Sequence, residues 1–157
     1  MSDLAALRAR YVEGTGHIVG LVAGLGPDDL DRHAPGSWSA RQVVHHLADS
    51  EAQSYARLRR LLAEPEGSVI QGYDESAWAE APVLGYATLP IEPSLAVFVA
   101  VRTASAVLLG RITDADLERW GMHTEGGRYT LGRWLELYSG HPFEHGDQLE
   151  RAVRGEA

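Results

Sequence analysis

Apolar residues recur at the three-to-four-residue spacing of a helix over four long stretches of the chain, and no run alternates regularly enough to predict a strand. Turn-forming residues gather between these stretches, over 24–36, 64–74, 81–93 and 113–128. The first predicted helix covers 3–23, although Gly14 and Gly16 weaken its middle. The second has the clearest start, because Ser39-Ala40-Arg41-Gln42 fits a capping box and Trp38 can staple onto Val43; it runs to about residue 63. Pro93 and Ser94 open the third, in which Leu95, Phe98, Val99, Arg102, Ala106 and Leu109 share a face. Arg102 is the odd member of that apolar stripe. The fourth begins near Thr130, with Tyr129 and Trp134 as a second staple, and continues to about 153.

An internal echo links the two halves. Asp28-Asp29-Leu30-Asp31-Arg32, ahead of the second helix, resembles Asp114-Ala115-Asp116-Leu117-Glu118-Arg119 ahead of the fourth, and each is followed by a glycine-containing loop, an aromatic residue and a Ser/Thr cap. Two such helix–loop–helix halves pack as a pseudo-symmetric four-helix bundle, with residues 64–93 crossing from one half to the other. A connection of that length usually wraps a site or carries function. The expected fold is therefore all-α, a single four-helix bundle domain over 1–157 with a long crossover between its second and third helices.

Composition narrows the chemistry. With 157 residues, 45% of them hydrophobic, the chain can bury a core of its own, so a metal would serve function and not mere folding. The absence of cysteine excludes a disulfide framework, a thiolate zinc site and a cysteine nucleophile, and the expected location is cytoplasmic. Fourteen basic residues, all arginine, stand against 22 acidic ones, a net charge of −8. No basic stripe offers itself to phosphates, so nucleic acid is not expected as a partner and a small-molecule substrate is. The first ten residues mix charges through their apolar positions, so no signal peptide is expected, and the apolar run over 95–101 is too short to span a membrane.

Seven histidines remain to be placed. The inward stripe of the fourth helix reads Leu131, Trp134, Leu135, Tyr138, His141, His145, Leu149, so two histidines continue a core-facing row. Four residues is a little over one turn, which lets both imidazoles converge on one ion. A third ligand has to come from another helix, and the second offers His45 and His46. If Val43, Leu47, Ser54, Leu58 and Leu61 form its buried stripe, His46 lies on the flank and His45 points away, toward Ala48, Ala52 and Ala56. The spacing favours His46 without excluding His45. Three such nitrogens leave positions open for water or substrate, the arrangement of a catalytic metal site. His17, His33 and His123 read as loop or surface residues. Pro142, between the paired histidines, cannot donate to the Tyr138 carbonyl, a loss of about 3 kcal/mol if nothing compensates. A kink aiming His141 and His145 inward, or a break at Gly140, is expected there.

These motifs together resemble a known family. Gly36-Ser37-Trp38-Ser39-Ala40-Arg41-Gln42-Val43-Val44-His45-His46-Leu47-Ala48-Asp49-Ser50 is similar to the second-helix signature of the DinB-like (DinB/YfiT-type) metalloenzyme superfamily. Tyr73-Asp74-Glu75-Ser76-Ala77-Trp78 resembles its crossover segment, and Leu137-Tyr138-Ser139-Gly140-His141-Pro142-Phe143-Glu144-His145 its fourth-helix ligand motif. The resemblance implies an up-down-down-up bundle, a homodimer, and a divalent metal, nickel or zinc, held by three histidines. By motif position these are His46, His141 and His145. The chain departs from the pattern at Pro142, Phe143 and Glu144, where members often carry other residues, including further histidines.

Members with known activity include S-transferases that use a low-molecular-weight thiol of the bacillithiol or mycothiol type; many others are described only as metal-dependent hydrolases. The resemblance therefore implies a thiol S-transferase acting on small electrophiles, with a hydrolase using metal-activated water, or a non-catalytic metal-binding dimer, as alternatives. An open three-histidine metal suits either chemistry, and a cosubstrate thiol would supply the nucleophile that a cysteine-free chain lacks. Asp49, Glu51 and Glu144 lie close enough in sequence to the histidines to be candidate proton-transfer groups.

Overall fold

The computed structural model describes residues 4–157 and contains all four long helices; the predicted start of the first, Asp3, lies outside the described residues. In chain order the elements are α1 (Leu4–Ala23), α2 (Ala40–Ala63), β1 (Val69–Ile70), α3 (Glu75–Glu80), α4 (Glu92–Leu109), β2 (Trp120–His123), β3 (Gly127–Thr130) and α5 (Leu131–Arg154). The caps behave as their side chains dictate. The Ser39 amide donates to Gln42 Oε1 at 2.9 Å and the Gln42 amide to Ser39 Oγ at 3.3 Å, while Thr130 Oγ1 accepts from the Arg133 amide. The echoed acidic segments both form short 3-10 turns, over Pro27–Asp29 and Asp114–Glu118, and in each an aspartate accepts from the amide three residues before it.

Around the bundle, α1 lies against α5 and α4, and α2 lies against the same two helices, so the sequence neighbours α1 and α2 sit across a diagonal. This is the up-down-down-up arrangement. Because α2 and α4 run in the same sense, the chain must travel back along α2, whose 24 residues measure about 36 Å. Residues 64–91 make that journey.

The expectation of no strand fails over that return path and the α4–α5 connection. β1 pairs in parallel with β2, Val69 opposite Met122, and β2 pairs antiparallel with β3. Strands of two to four residues are too short to show a period of two, which is why alternation did not reveal them. Their effect is to tie the crossover to the loop before α5. The short helix α3, capped by Asp74 Oδ1 accepting from the Ala77 amide, follows directly.

α4 is by length and composition apolar enough to cross a membrane, with a mean hydropathy of 1.5 over its 18 residues. It nevertheless packs along α2 and α1, turning Phe98, Arg102, Ser105 and Leu109 inward.

The core divides into two apolar clusters with a polar waist between them. One gathers Tyr11, Leu58, Leu109, Trp134 and Tyr138, and the other Ile18, Val43, Leu47, Phe98 and Leu149. On each helix the residues between the two clusters are the polar or small ones: Gly14 and Thr15 on α1, Glu51 and Ser54 on α2, Arg102 and Ser105 on α4, and His141, Pro142 and His145 on α5. α5 runs unbroken through Pro142, so the expected break at Gly140 does not occur. Nor does Gly14 interrupt α1; a Cβ at Gly14 would meet Pro142 Cγ at 3.0 Å, so the missing side chain is what admits the proline ring.

Candidate metal centre

α2 delivers His46, which is 1% exposed, and α5 delivers His141 and His145 one turn apart. Their ring nitrogens converge: His145 Nε2 lies 3.2 Å from His46 Nε2 and 3.0 Å from His141 Nε2. One ligand atom from each of the three lies within 4.8 Å of the others. Nitrogens bound about 2.1 Å from a common ion, at angles between octahedral and tetrahedral, lie about 3.0–3.4 Å apart. Both distances to His145 Nε2 fall in that range.

Protonation fits as well. Burial, and for each the neighbouring His145, hold His46 down at about 3 and His141 at about 2; burial also lowers His145. His145 Nδ1–H donates to Gln148 Oε1 at 2.7 Å, which leaves the Nε2 lone pair directed at the cluster. His46 Nδ1 and His141 Nδ1 are buried without a partner. Three neutral imidazoles facing one another through lone pairs cannot all be satisfied by each other's protons. A cation satisfies all three at once.

Trp38, from the α2 cap, closes one side with its ring 5.1 Å from that of His46. Beside the other two histidines lies a cavity of about 390 Å³, lined among others by His141, His145, Glu144, Glu75, Glu125 and His123. A second, of about 440 Å³, also borders His145 and Glu75, with Trp38, Gln148 and Arg151. Glu75 is carried there by α3 and the crossover. Partial burial and the nearby Glu125 push its carboxyl above the ordinary range, with Arg57 opposing. Arg57 braces the cavity floor, donating to the Gln71 carbonyl through Nε and Nη2 and to Tyr138 Oη at 3.1 Å.

Of the three carboxylates singled out by sequence proximity, only Glu144 borders this cavity. Asp49 accepts from Tyr86 Oη at 2.5 Å and lines a different cavity with His45 and Ser94. Glu51 is fully buried and paired with Arg102 at 2.5 Å, accepting also from Ser54 Oγ, so a proton-transfer role for it is corrected to a core ion pair. His45 stays outside the histidine cluster, on another side of α2. It is buried beneath the crossover, between Ser94 Oγ at 2.8 Å and the Leu89 carbonyl at 3.2 Å. His123 turns out to face the site cavity, whereas His17 stacks on Phe143 and His33 stays in its loop. The sequence reading missed Glu75, Glu125 and His123 at the site. The crossover motif around Glu75 was a signal for the first; nothing in the periodicity marked the other two, which sit on the strands and turn that went unrecognised.

Comparison with known proteins agrees with this geometry. Residues 10–149 match a family profile described as the DinB superfamily. A protein of Oceanobacillus iheyensis with the provisional name of metal-dependent hydrolase is 38% identical over 125 residues, which cover 79% of this chain and 70% of that protein. One of Bacillus mycoides, named in the same way, is 36% identical over 110 residues, covering 70% of this chain but 61% of its own length. YfiT from Bacillus subtilis, described in similarly provisional terms as a metal-dependent hydrolase with an unusual four-helix bundle topology, superposes with a TM-score of 0.88 at 30% identity, covering 100% of this chain and 91% of that one.

Proposed function

The chain belongs to the DinB superfamily, and from that premise we propose that it is a metal-dependent hydrolase of small molecules in which His46, His141 and His145 hold a divalent ion, nickel or zinc. The observation that carries this reading is the convergence of three neutral Nε2 atoms beside a polar cavity. An ion held there supplies Lewis acidity, making a nucleophile available at neutral pH and polarising the bond to be broken. The protein's own groups do the rest. Glu144, adjacent to His145, faces the cavity and accepts the nucleophile's proton; Glu75, its carboxyl raised, returns one to the leaving group. Trp38 keeps water from the far side of His46.

A thiol S-transferase is the second reading, and one observation favours it. His145 and Glu75 border two cavities, of about 390 and 440 Å³, room for two organic ligands where a hydrolase needs one. In that case Glu144 takes the proton of a low-molecular-weight thiol, the nucleophile absent from a cysteine-free chain. The chain is further taken to act as a homodimer, which light scattering checks.

Elemental analysis of untagged protein should give about one nickel or zinc per chain, lost in His46→Ala. No metal above the variant's level, even after reloading, would sink the reading. With the loaded protein, turnover of model esters, amides and alkylating electrophiles is followed with and without added thiol: turnover in buffer alone supports hydrolysis, and strict thiol dependence the transferase. Glu144→Gln should lower kcat about a hundredfold at unchanged metal content; an unchanged kcat removes Glu144 from the mechanism.

A further inference from the structure

Pro142 leaves one backbone acceptor in α5, the Tyr138 carbonyl, without the N–H that residue 142 would otherwise provide. A side chain from a different helix supplies a donor. Arg102 of α4, 1% exposed, donates through Nη1 to the Tyr138 carbonyl at 3.1 Å. Its other bonds reach the remaining two helices: Nη1 to Glu51 Oε1 of α2 at 2.5 Å, Nη2 to the Tyr11 carbonyl of α1 at 2.5 Å, and Nε to Thr15 Oγ1 at 2.8 Å. The guanidinium also lies 3.8 Å from the centroid of the Tyr11 ring.

The place of this contact matters. A Cβ at Gly14 would meet the Pro142 ring at 3.0 Å and Arg102 Nη2 at 3.4 Å, so proline, guanidinium and the bare stretch of α1 meet at one point. His141 and His145 flank that point in sequence, and the 3.0 Å between their Nε2 atoms depends on the local path of α5. Helices bend where a proline opens the hydrogen-bond ladder unless the freed groups are held.

We propose that Arg102 is a positioning residue for the metal centre: it stands in for the hydrogen bond that Pro142 cannot make, and so fixes the register in which α5 presents His141 and His145. This rests on the reading of His46, His141 and His145 as metal ligands. A core ion pair with no role in the site would need Glu51 as a partner, but not the one carbonyl that the proline strands.

Cobalt(II) is the probe, because its visible absorption reports both affinity and coordination geometry. Wild-type protein should bind about one cobalt per chain, with absorption absent in His141→Ala; no cobalt in the wild type overturns the metal reading and this inference with it. The test variant is Glu51→Leu with Arg102→Met, which replaces the buried pair by apolar side chains and strands no charge. Cobalt should bind it roughly tenfold to a hundredfold more weakly, with an altered absorption band. Adding Pro142→Ala restores an N–H to Tyr138 and should recover most of the affinity and the original band. If the double variant fails to fold, Arg102→Lys, which keeps a charge beside Glu51 but not the fork, takes its place with the same expectations. Folded variants with wild-type cobalt affinity and spectrum, or a loss that Pro142→Ala does not repair, overturn the proposal while leaving the metal reading intact.

Discussion

Two polar groups are buried side by side in the waist of the bundle, and they are satisfied in opposite ways. Around Arg102 the donors find acceptors within the chain, and the Glu51 carboxylate takes a bond on each oxygen. In the histidine cluster the lone pairs face one another, and two of the three Nδ1 atoms have no partner. His46 is as deeply buried as Arg102, so burial alone does not mark a functional group. What separates the two is the balance of donors and acceptors: the arginine group closes on itself, whereas the histidine group has acceptors to spare and calls for something positive from outside.

That contrast makes quantitative expectations. Arg102→Met alone, which strips Glu51 of its partner in a core that already pushes its carboxyl up, should cost about 3–5 kcal/mol in urea unfolding of metal-free protein. A cost under about 1 kcal/mol would show that Glu51 is not a buried anion. The histidine cluster should respond the other way, because His141→Ala removes a group that gains nothing without its ion. In metal-free protein that variant should unfold near the wild-type midpoint. With metal at a hundredfold excess over its Kd, the wild type alone should gain about 2.7 kcal/mol; equal gains in both would place the ion elsewhere.

Acid should separate the groups as well. The unfolded chain takes up protons on histidine near pH 6.5, while burial keeps the folded cluster neutral down to about 3 at His46 and about 2 at His141. The unfolded state therefore binds more protons throughout that window. Stability of the metal-free protein is full above pH 6.5 and falls as pH drops toward 3, by up to about 1.4 kcal/mol per pH unit for each histidine. His46→Leu should flatten the slope by one histidine's share, and an unaltered slope would contradict neutral burial. The smallest effect expected is that of Gln148→Leu, which frees His145 Nδ1. Metal affinity should fall about tenfold with no change in fold, read by competition with a chelator.

The histidine cluster was legible from the sequence for a specific reason. His141 and His145 interrupt an otherwise apolar stripe, and a polar residue on a core-facing row has to have business there. Arg102 stood out by the same logic, and so did Pro142, but spacing along one helix cannot reveal that the two meet. Spacing favoured His46 over His45 without deciding between them, and family likeness decided, since both are buried and their difference lies in the element above them: the crossover covers one, α5 the other. Glu75, Glu125 and His123 escaped for a related reason. They reach the cavity through the parallel pairing of Val69 and Ile70 with Met122 and His123, a contact over some fifty residues that leaves no periodic trace in a two-residue strand. The four helices were readable because each advertises its own face, and the crossover was readable as a long connection; the sheet and the path of the crossover over the site were not, because they are defined by what they touch.

His46 and His145 are 99 residues apart, and most of the bundle lies between them in sequence. Closing so long a loop costs entropy that is recovered only once the helices that frame it are docked, so this contact belongs to the late events of folding. During synthesis His46 emerges early, with no second ligand on the way until α5 appears. The three-histidine cluster therefore cannot form on the growing chain before then. An ion held by all three histidines would thus report that the last helix has arrived, and would slow the whole chain's return to the unfolded state.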